Sequence, residues 1–396
     1  MDNTINTDRF LVLPKNVLIG RRIFFLILLT LPFTRDLNGT NLLIYFVLTF
    51  FYTMRFWRRD YVPSSMVVFS AISLIYVFFS LFNVFPSVFT ILFELKAIPQ
   101  QSLYSYSLIP AFFLMKSVFC YYLQSSVGRK KLAFHMFSIW IIINCYSMII
   151  TGFEVISIPF SIAGLGNTSA IIISATALYL SAEKSVKKRY RVLLIFSVFS
   201  FLSPFSQNIV YAIVFFMMWV SPRYSFVFLL GFIVSSIMVY IYFYQYPLSA
   251  YFIDSNLFVR LVLLGDAIDG FLKSNLIGVG FGTESLSNNY LMFDNPEFKD
   301  ADDTGFIHLS VHNSFATIAY RIGVLGFIAL IWFVIRSLKL AYYNKNDKAL
   351  ISSMLLAFFI VTFQNPGLES YVYLYGIFIY LSLAWALDRK KSNKYE

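Results

Sequence analysis

From residue 17 to residue 387 the chain returns about a dozen times to apolar runs near the length that crosses a bilayer. These runs fall near 17–33, 40–54, 64–85, 107–123, 132–151, 167–183, 191–205, 207–221, 223–246, 313–335, 349–364 and 371–387. A hydrocarbon core about 30 Å thick takes about 17–25 residues of helix. Backbone polar groups find no water there, so only helices and closed barrels cross it. Continuous rather than alternating apolar character selects helices. The expectation is therefore an all-α polytopic membrane protein with about 12 transmembrane helices, lying in the lipid bilayer. Composition agrees: 59% of residues are hydrophobic and 13% charged, with mean hydropathy +0.71. A soluble globular chain carries about 25% charge. The tight break Ser203-Pro204-Phe205-Ser206-Gln207 divides one overlong run into a predicted helical hairpin.

The net charge of +11 is not a nucleic-acid footprint. Such a footprint needs basic residues gathered on one face, and here they sit in short clusters between apolar runs, where topology signals lie. With both termini cytoplasmic, the inner segments collect 24 of the 31 Lys and Arg. The outer segments hold Arg35, Lys96, Arg260, Lys273 and Lys299, while Lys116 and Arg321 fall within spans. The two cysteines, Cys120 and Cys145, lie in apolar runs and read as packing residues. No cleavable signal peptide is evident, since polar residues precede the first run and no small-x-small site follows it.

Three regions result. Residues 1–246 form about nine spans, 247–312 a large outer loop, and 313–396 about three spans with a basic cytoplasmic tail. The loop is acidic, with nine Asp and Glu against three basic residues. Leu257, Leu261, Leu264, Ile268 and Leu272 recur at three or four residues, which predicts an amphipathic helix at the membrane surface.

Polar groups gather at the predicted outer depth. Gly278, Gly280 and Gly282 stand in Gly-Val-Gly-Phe-Gly-Thr. Their amides can form a nest for a phosphate, or the glycines can simply make a tight turn. No strand precedes them, which argues against a dinucleotide site. His312 sits where the loop enters the next helix, and a neutral imidazole there can take a proton from a sugar hydroxyl. Asn313 can cap that helix or hold a polar partner. His308 gives His-x-x-x-His, but no Glu follows it as in a zinc-protease helix, and the expectation is no metal and no cofactor. Arg260 can grip a phosphate bidentately or pair with Asp266 or Asp269. Arg321 lies inside a span, where a charge is costly and marks function or a partner within the bundle. Ideal helix geometry places it nearly opposite His312, and Lys116 poses the same question in the fourth span. Asn167 at a helix entrance, Gln207 at the hairpin tip, and Asn365-Pro366 with Glu369 complete the outer set; each can equally be a cap or turn residue.

The order of these groups resembles the O-antigen polymerase and O-antigen ligase superfamily. The residues that carry the resemblance begin with Arg260, followed by Asn275-Leu276-Ile277-Gly278-Val279-Gly280-Phe281-Gly282. After the loop come His312-Asn313-Ser314-Phe315 and Gly323-Val324-Leu325-Gly326. Gly166-Asn167-Thr168 is similar to the family's entrance to a middle helix. The resemblance spans most of 160–385 and is dense at 257–327. Three positions depart from the family pattern: Gln207 stands where members often carry Arg, Leu276 replaces a Pro, and Arg321 replaces an acidic residue.

The resemblance implies a metal-independent glycosyltransferase of the bacterial inner membrane, with the multi-span lipid-dependent fold and its large loop periplasmic. It implies transfer of a glycan from undecaprenyl diphosphate to a lipid-linked repeat unit. Arg260 would then stabilise the departing diphosphate, and His312 would activate the acceptor hydroxyl. A chain-length regulator is an implied partner. A ligase passing the glycan to lipid A core shares this toolkit. A lipid-linked oligosaccharide flippase is the non-enzyme alternative, but such transporters usually have short outer loops and related halves.

Overall fold

The computed structural model describes residues 14–30, 40–58, 62–85, 98–151, 167–201, 206–246, 249, 255–282, 313–364, 368 and 374–388. Every regular element among them is helical. In chain order they are α1 (Lys15–Thr30), α2 (Thr40–Phe56), α3 (Ser64–Leu81), a single turn α4 (Ile98–Gln101), α5 (Leu103–Tyr122), α6 (Ser126–Thr151) and α7 (Asn167–Ala182). Then follow α8 (Val186–Phe201), α9 (Ser206–Val220), a 3-10 turn (Pro222–Tyr224), α10 (Ser225–Gln245) and α11 (Ser255–Lys273). The last three are α12 (Ser314–Tyr343), α13 (Lys348–Gln364) and α14 (Leu374–Trp385).

Each of the twelve apolar runs contains a helix among its described residues, and α11 is the amphipathic helix read from the loop. Four helices are long and apolar enough to cross a bilayer: Ser64–Leu81, Leu103–Tyr122, Pro222–Gln245 and Ser314–Tyr343. Five shorter apolar helices accompany them. The boundaries move where charge is tolerated. α8 begins at Val186, several residues before the run starting at 191, because Lys and Arg can lie along a helix and reach outward with their long stems. α12 runs on to Tyr343, past Arg336 and Lys339, for the same reason.

Lipid offers no hydrophobic drive for helices to associate, so packing and interhelical hydrogen bonds hold such bundles. α5 and α14 form the centre, and every residue of α14 is buried. α10 is the opposite case, with 6% of its apolar window buried. Serines and aromatic hydroxyls bridge the central helices. Ser70 Oγ donates to the Ser105 carbonyl at 2.6 Å, Tyr52 Oη meets Ser117 Oγ at 2.8 Å, and Trp385 Nε1 donates to Ser337 Oγ at 3.0 Å. Cys120 and Cys145 are free thiols.

Ionic contacts gather at one end of the bundle. Arg129, at the start of α6, makes a two-pronged pair with Asp347, between α12 and α13. Lys130 meets Glu183 at 2.8 Å, and Asn344 Nδ2 donates to the Leu387 carbonyl at 3.0 Å. All these connections belong to segments that the charge pattern assigns to a single side. Contacts at the other end join segments assigned to the opposite side: Gly282 to Gln101, and Asn313 to Phe363.

Candidate functional site

The site is organised by a break in α12. Gly323 has φ 63° and ψ −164°, which interrupts the helix and leaves a short first piece, Ser314–Ile322, ahead of the main helix. That region of backbone space is essentially reserved for glycine. A broken helix exposes amides and carbonyls that lipid cannot satisfy, so irregular backbone survives only where protein covers it. Here the cover is the glycine turn that follows α11. Val279 N donates to the Tyr320 carbonyl at 2.9 Å, Gly280 N to the Arg321 carbonyl at 2.9 Å, and Val324 N to the Leu276 carbonyl at 2.9 Å.

These bonds bring two backbones into contact, which explains the residue types. A Cβ on Gly278 would lie 2.6 Å from the Gly323 amide and 2.7 Å from the Arg321 carbonyl. A Cβ on Gly323 would strike the Ile277 carbonyl. The turn leaves α11 through Asn275 and Leu276, both with positive φ (55° and 66°). Proline fixes φ near −65°, so a proline has no place at Leu276 in this conformation.

The glycine amides are committed within the protein. Gly278 N donates to Ser274 Oγ at 3.0 Å, Phe281 N to Ser80 Oγ at 2.8 Å, and Gly282 N to Gln101 Oε1 at 2.7 Å, alongside the two bonds to α12. Of the two readings of Gly278, Gly280 and Gly282, phosphate nest or tight turn, these bonds fit the tight turn and not the nest. The amides that would have faced an anion instead lock the turn to α3, α4 and α12. Tyr76 Oη adds a bond to the Ile277 carbonyl at 2.7 Å.

Arg321 is the last arginine before the break and only 2% exposed. Its guanidinium lies 5.8 Å from the Tyr320 ring centre and donates to the Gly280 carbonyl at 3.4 Å. It braces the turn from beneath, which is the partner-within-the-bundle reading. Lys116 is likewise buried in α5, its amine 5.8 Å from the Phe112 ring centre.

Arg260 stands elsewhere on α11, half-buried. It acts electrostatically on Tyr240 of α10. Tyr240 Oη donates to the Phe363 carbonyl at 2.6 Å, and Asn313 Nδ2 donates to the same carbonyl at 3.3 Å. Asn313 also caps α12, its Oδ1 accepting from Phe315 N at 3.0 Å and Ala316 N at 3.1 Å. Tyr240 and Asn313 therefore meet at one carbonyl near the end of α13, beside the start of α12, and Arg260 is near enough to Tyr240 to act on it. The alternative pairing of Arg260 with Asp269 is replaced by an ion pair between Asp269 and Lys273 at 2.6 Å.

His312 and His308 lie outside the described residues, as do Asn365, Pro366 and Glu369. Asn167 opens α7 and Gln207 is the second residue of α9, and the side chains of both fall outside the described set. Among the described residues no group of three His, Cys, Asp or Glu is placed to hold a metal.

Sequence reading missed Tyr240, Gln101 and the pair Tyr76 and Ser80. The last two were accessible in principle, because polar residues four apart in an apolar helix share a face. Compared with known protein families and with curated proteins, the sequence matches none.

Proposed function

We propose that the chain is a polyprenyl-diphosphate-dependent glycosyltransferase of the O-antigen polymerase kind. In this reading it crosses the bacterial inner membrane about twelve times, with both termini cytoplasmic and the 247–312 loop periplasmic. The observation that supports the reading is the meeting of Tyr240 and Asn313 at the Phe363 carbonyl, with Arg260 acting on Tyr240, beside the chain position of His312. A cation, a phenol and an amide at the mouth of a positively oriented helix suit a diphosphate and a sugar hydroxyl.

The reaction follows from those groups. An acceptor hydroxyl attacks the anomeric carbon of the lipid-linked glycan. The new C–O bond forms as the bond to the diphosphate breaks, and the electron pair leaves with undecaprenyl diphosphate. The hydroxyl proton passes to the His312 imidazole. The leaving group's charge develops against Arg260, which supplies stabilisation where it is needed. The acidic loop would cover the glycan, as mobile lids do. A chain-length regulator would act as a separate partner.

The test uses purified protein in vesicles with lipid-linked repeat units. Wild type should elongate them with or without chelator, while His312→Ala and Arg260→Ala should lose about 10²-fold or more in rate. Undiminished activity in both variants would remove the residue assignments, and loss of activity with chelator would remove the metal-independent chemistry. Transfer to lipid A core in place of repeat units would make the enzyme a ligase.

A further inference from the structure

A second basic site lies between α1 and α6, lined by neither the glycine turn nor α12. Arg21 and Arg22 of α1 and Lys131 and His135 of α6 line one cleft of about 760 Å³. Lys131 and Arg21 both act electrostatically on His135. Below them the wall is apolar, formed by Phe25, Leu29 and Ile139. The Phe25 and His135 rings meet edge to face at 5.7 Å.

The neighbouring cations show what is unusual here. Arg129 and Lys130 on the same helix are answered by Asp347 and Glu183. No described carboxylate pairs with Arg21, Arg22 or Lys131. Among the described residues, Arg21 donates to the Tyr122 hydroxyl at 3.5 Å. Three cations facing one cleft repel one another unless an anion enters. A cleft charged at its rim and greasy below suits an amphiphile with its phosphate among the cations and a chain along the wall. Basic pockets between membrane helices hold acidic lipid headgroups in this way.

We propose that this cleft binds the phosphate headgroup of an anionic membrane phospholipid, which joins α1 to α6. The same phosphate chemistry is available to a free anion, and the experiment separates the two. Full-length protein in detergent is equilibrated with phosphatidylglycerol, with phosphatidylethanolamine, or with inorganic phosphate, and bound species are counted by native mass spectrometry. Arg22 and Lys131 are exposed, so Arg22→Gln/Lys131→Gln keeps the packing intact, which monodisperse elution verifies. Lys187→Gln/Lys188→Gln, on exposed α8 residues, is the charge-matched control.

Wild type and control should retain phosphatidylglycerol over phosphatidylethanolamine, and millimolar phosphate should not displace it. The Arg22/Lys131 variant should bind phosphatidylglycerol roughly thirtyfold more weakly, the loss expected for two cations near a membrane surface. Equal retention by variant and wild type would overturn the proposal. So would phosphate binding with no preference between the two lipids.

Discussion

Replacing Gly323 by alanine tests whether the break in α12 is held by its fit to the glycine turn. The added Cβ meets the Ile277 carbonyl, and φ 63° with ψ −164° is strained for any L-residue. That conformation alone costs about 1–3 kcal/mol. Moving the turn away endangers three main-chain bonds, Val279 to Tyr320, Gly280 to Arg321 and Val324 to Leu276. Each contributes about 1 kcal/mol net. The total is about 4–6 kcal/mol, at the exceptional end for a single substitution. A chain of this size shifts by no more than about 2 °C per kcal/mol. The apparent melting temperature in detergent should therefore fall by up to about 12 °C. Gly231→Ala is the control, because a Cβ there meets nothing within 4 Å. It should melt at or slightly above wild type, since alanine favours helix by up to about 1 kcal/mol. Gly323→Ala melting with wild type would refute the argument that backbone contact holds the turn to the broken helix.

Other outcomes follow from particular contacts. Asp347→Asn strands Arg129, which is 7% exposed, and should cost about 3–5 kcal/mol, whereas replacing both partners by apolar residues should recover most of it in the same melting assay. Lys130, the Ser185 amide and Tyr179 hold the Glu183 carboxyl down at about 2. A carboxylate depressed in the folded state gives stability above its unfolded pKa of about 4.3 that fades as pH falls toward 2. Acid titration of Lys130→Gln should show a smaller loss across that window, and an unchanged profile would count against the pair. Leu276→Gly should fold, since glycine takes φ 66° without strain, while Leu276→Pro should not yield folded protein on expression.

The helices were legible because apolar length is written residue by residue. Twelve runs predict twelve helical segments, and the amphipathic stripe from Leu257 to Leu272 lies within α11. The clustering of Gly278, Gly280, Gly282 and Gly323 was also visible, but its meaning was not. A glycine amide free for an anion and one bonded to a carbonyl forty residues away look alike in sequence. Only the register of the turn against α12 distinguishes them. Arg321 was ambiguous for a related reason: ideal helix geometry placed its face, and the break at Gly323 changed what that face meets. Tyr240 carried no signal, being one of 27 tyrosines in an aromatic-rich chain. Its position becomes special only when Phe363 and Asn313 are brought beside it.

The proposed reaction requires Arg260 and His312 to act on one lipid-linked diphosphate, and so to lie within reach of each other. The direct measurement is cross-linking of Arg260→Cys/His312→Cys in a chain whose Cys120 and Cys145 are replaced by serine, using a short bifunctional thiol reagent in native membranes. An intramolecular cross-link should form, and undecaprenyl diphosphate should suppress it by occupying the space between the two. Absence of the cross-link in folded protein, or formation unaffected by the lipid, would contradict that arrangement.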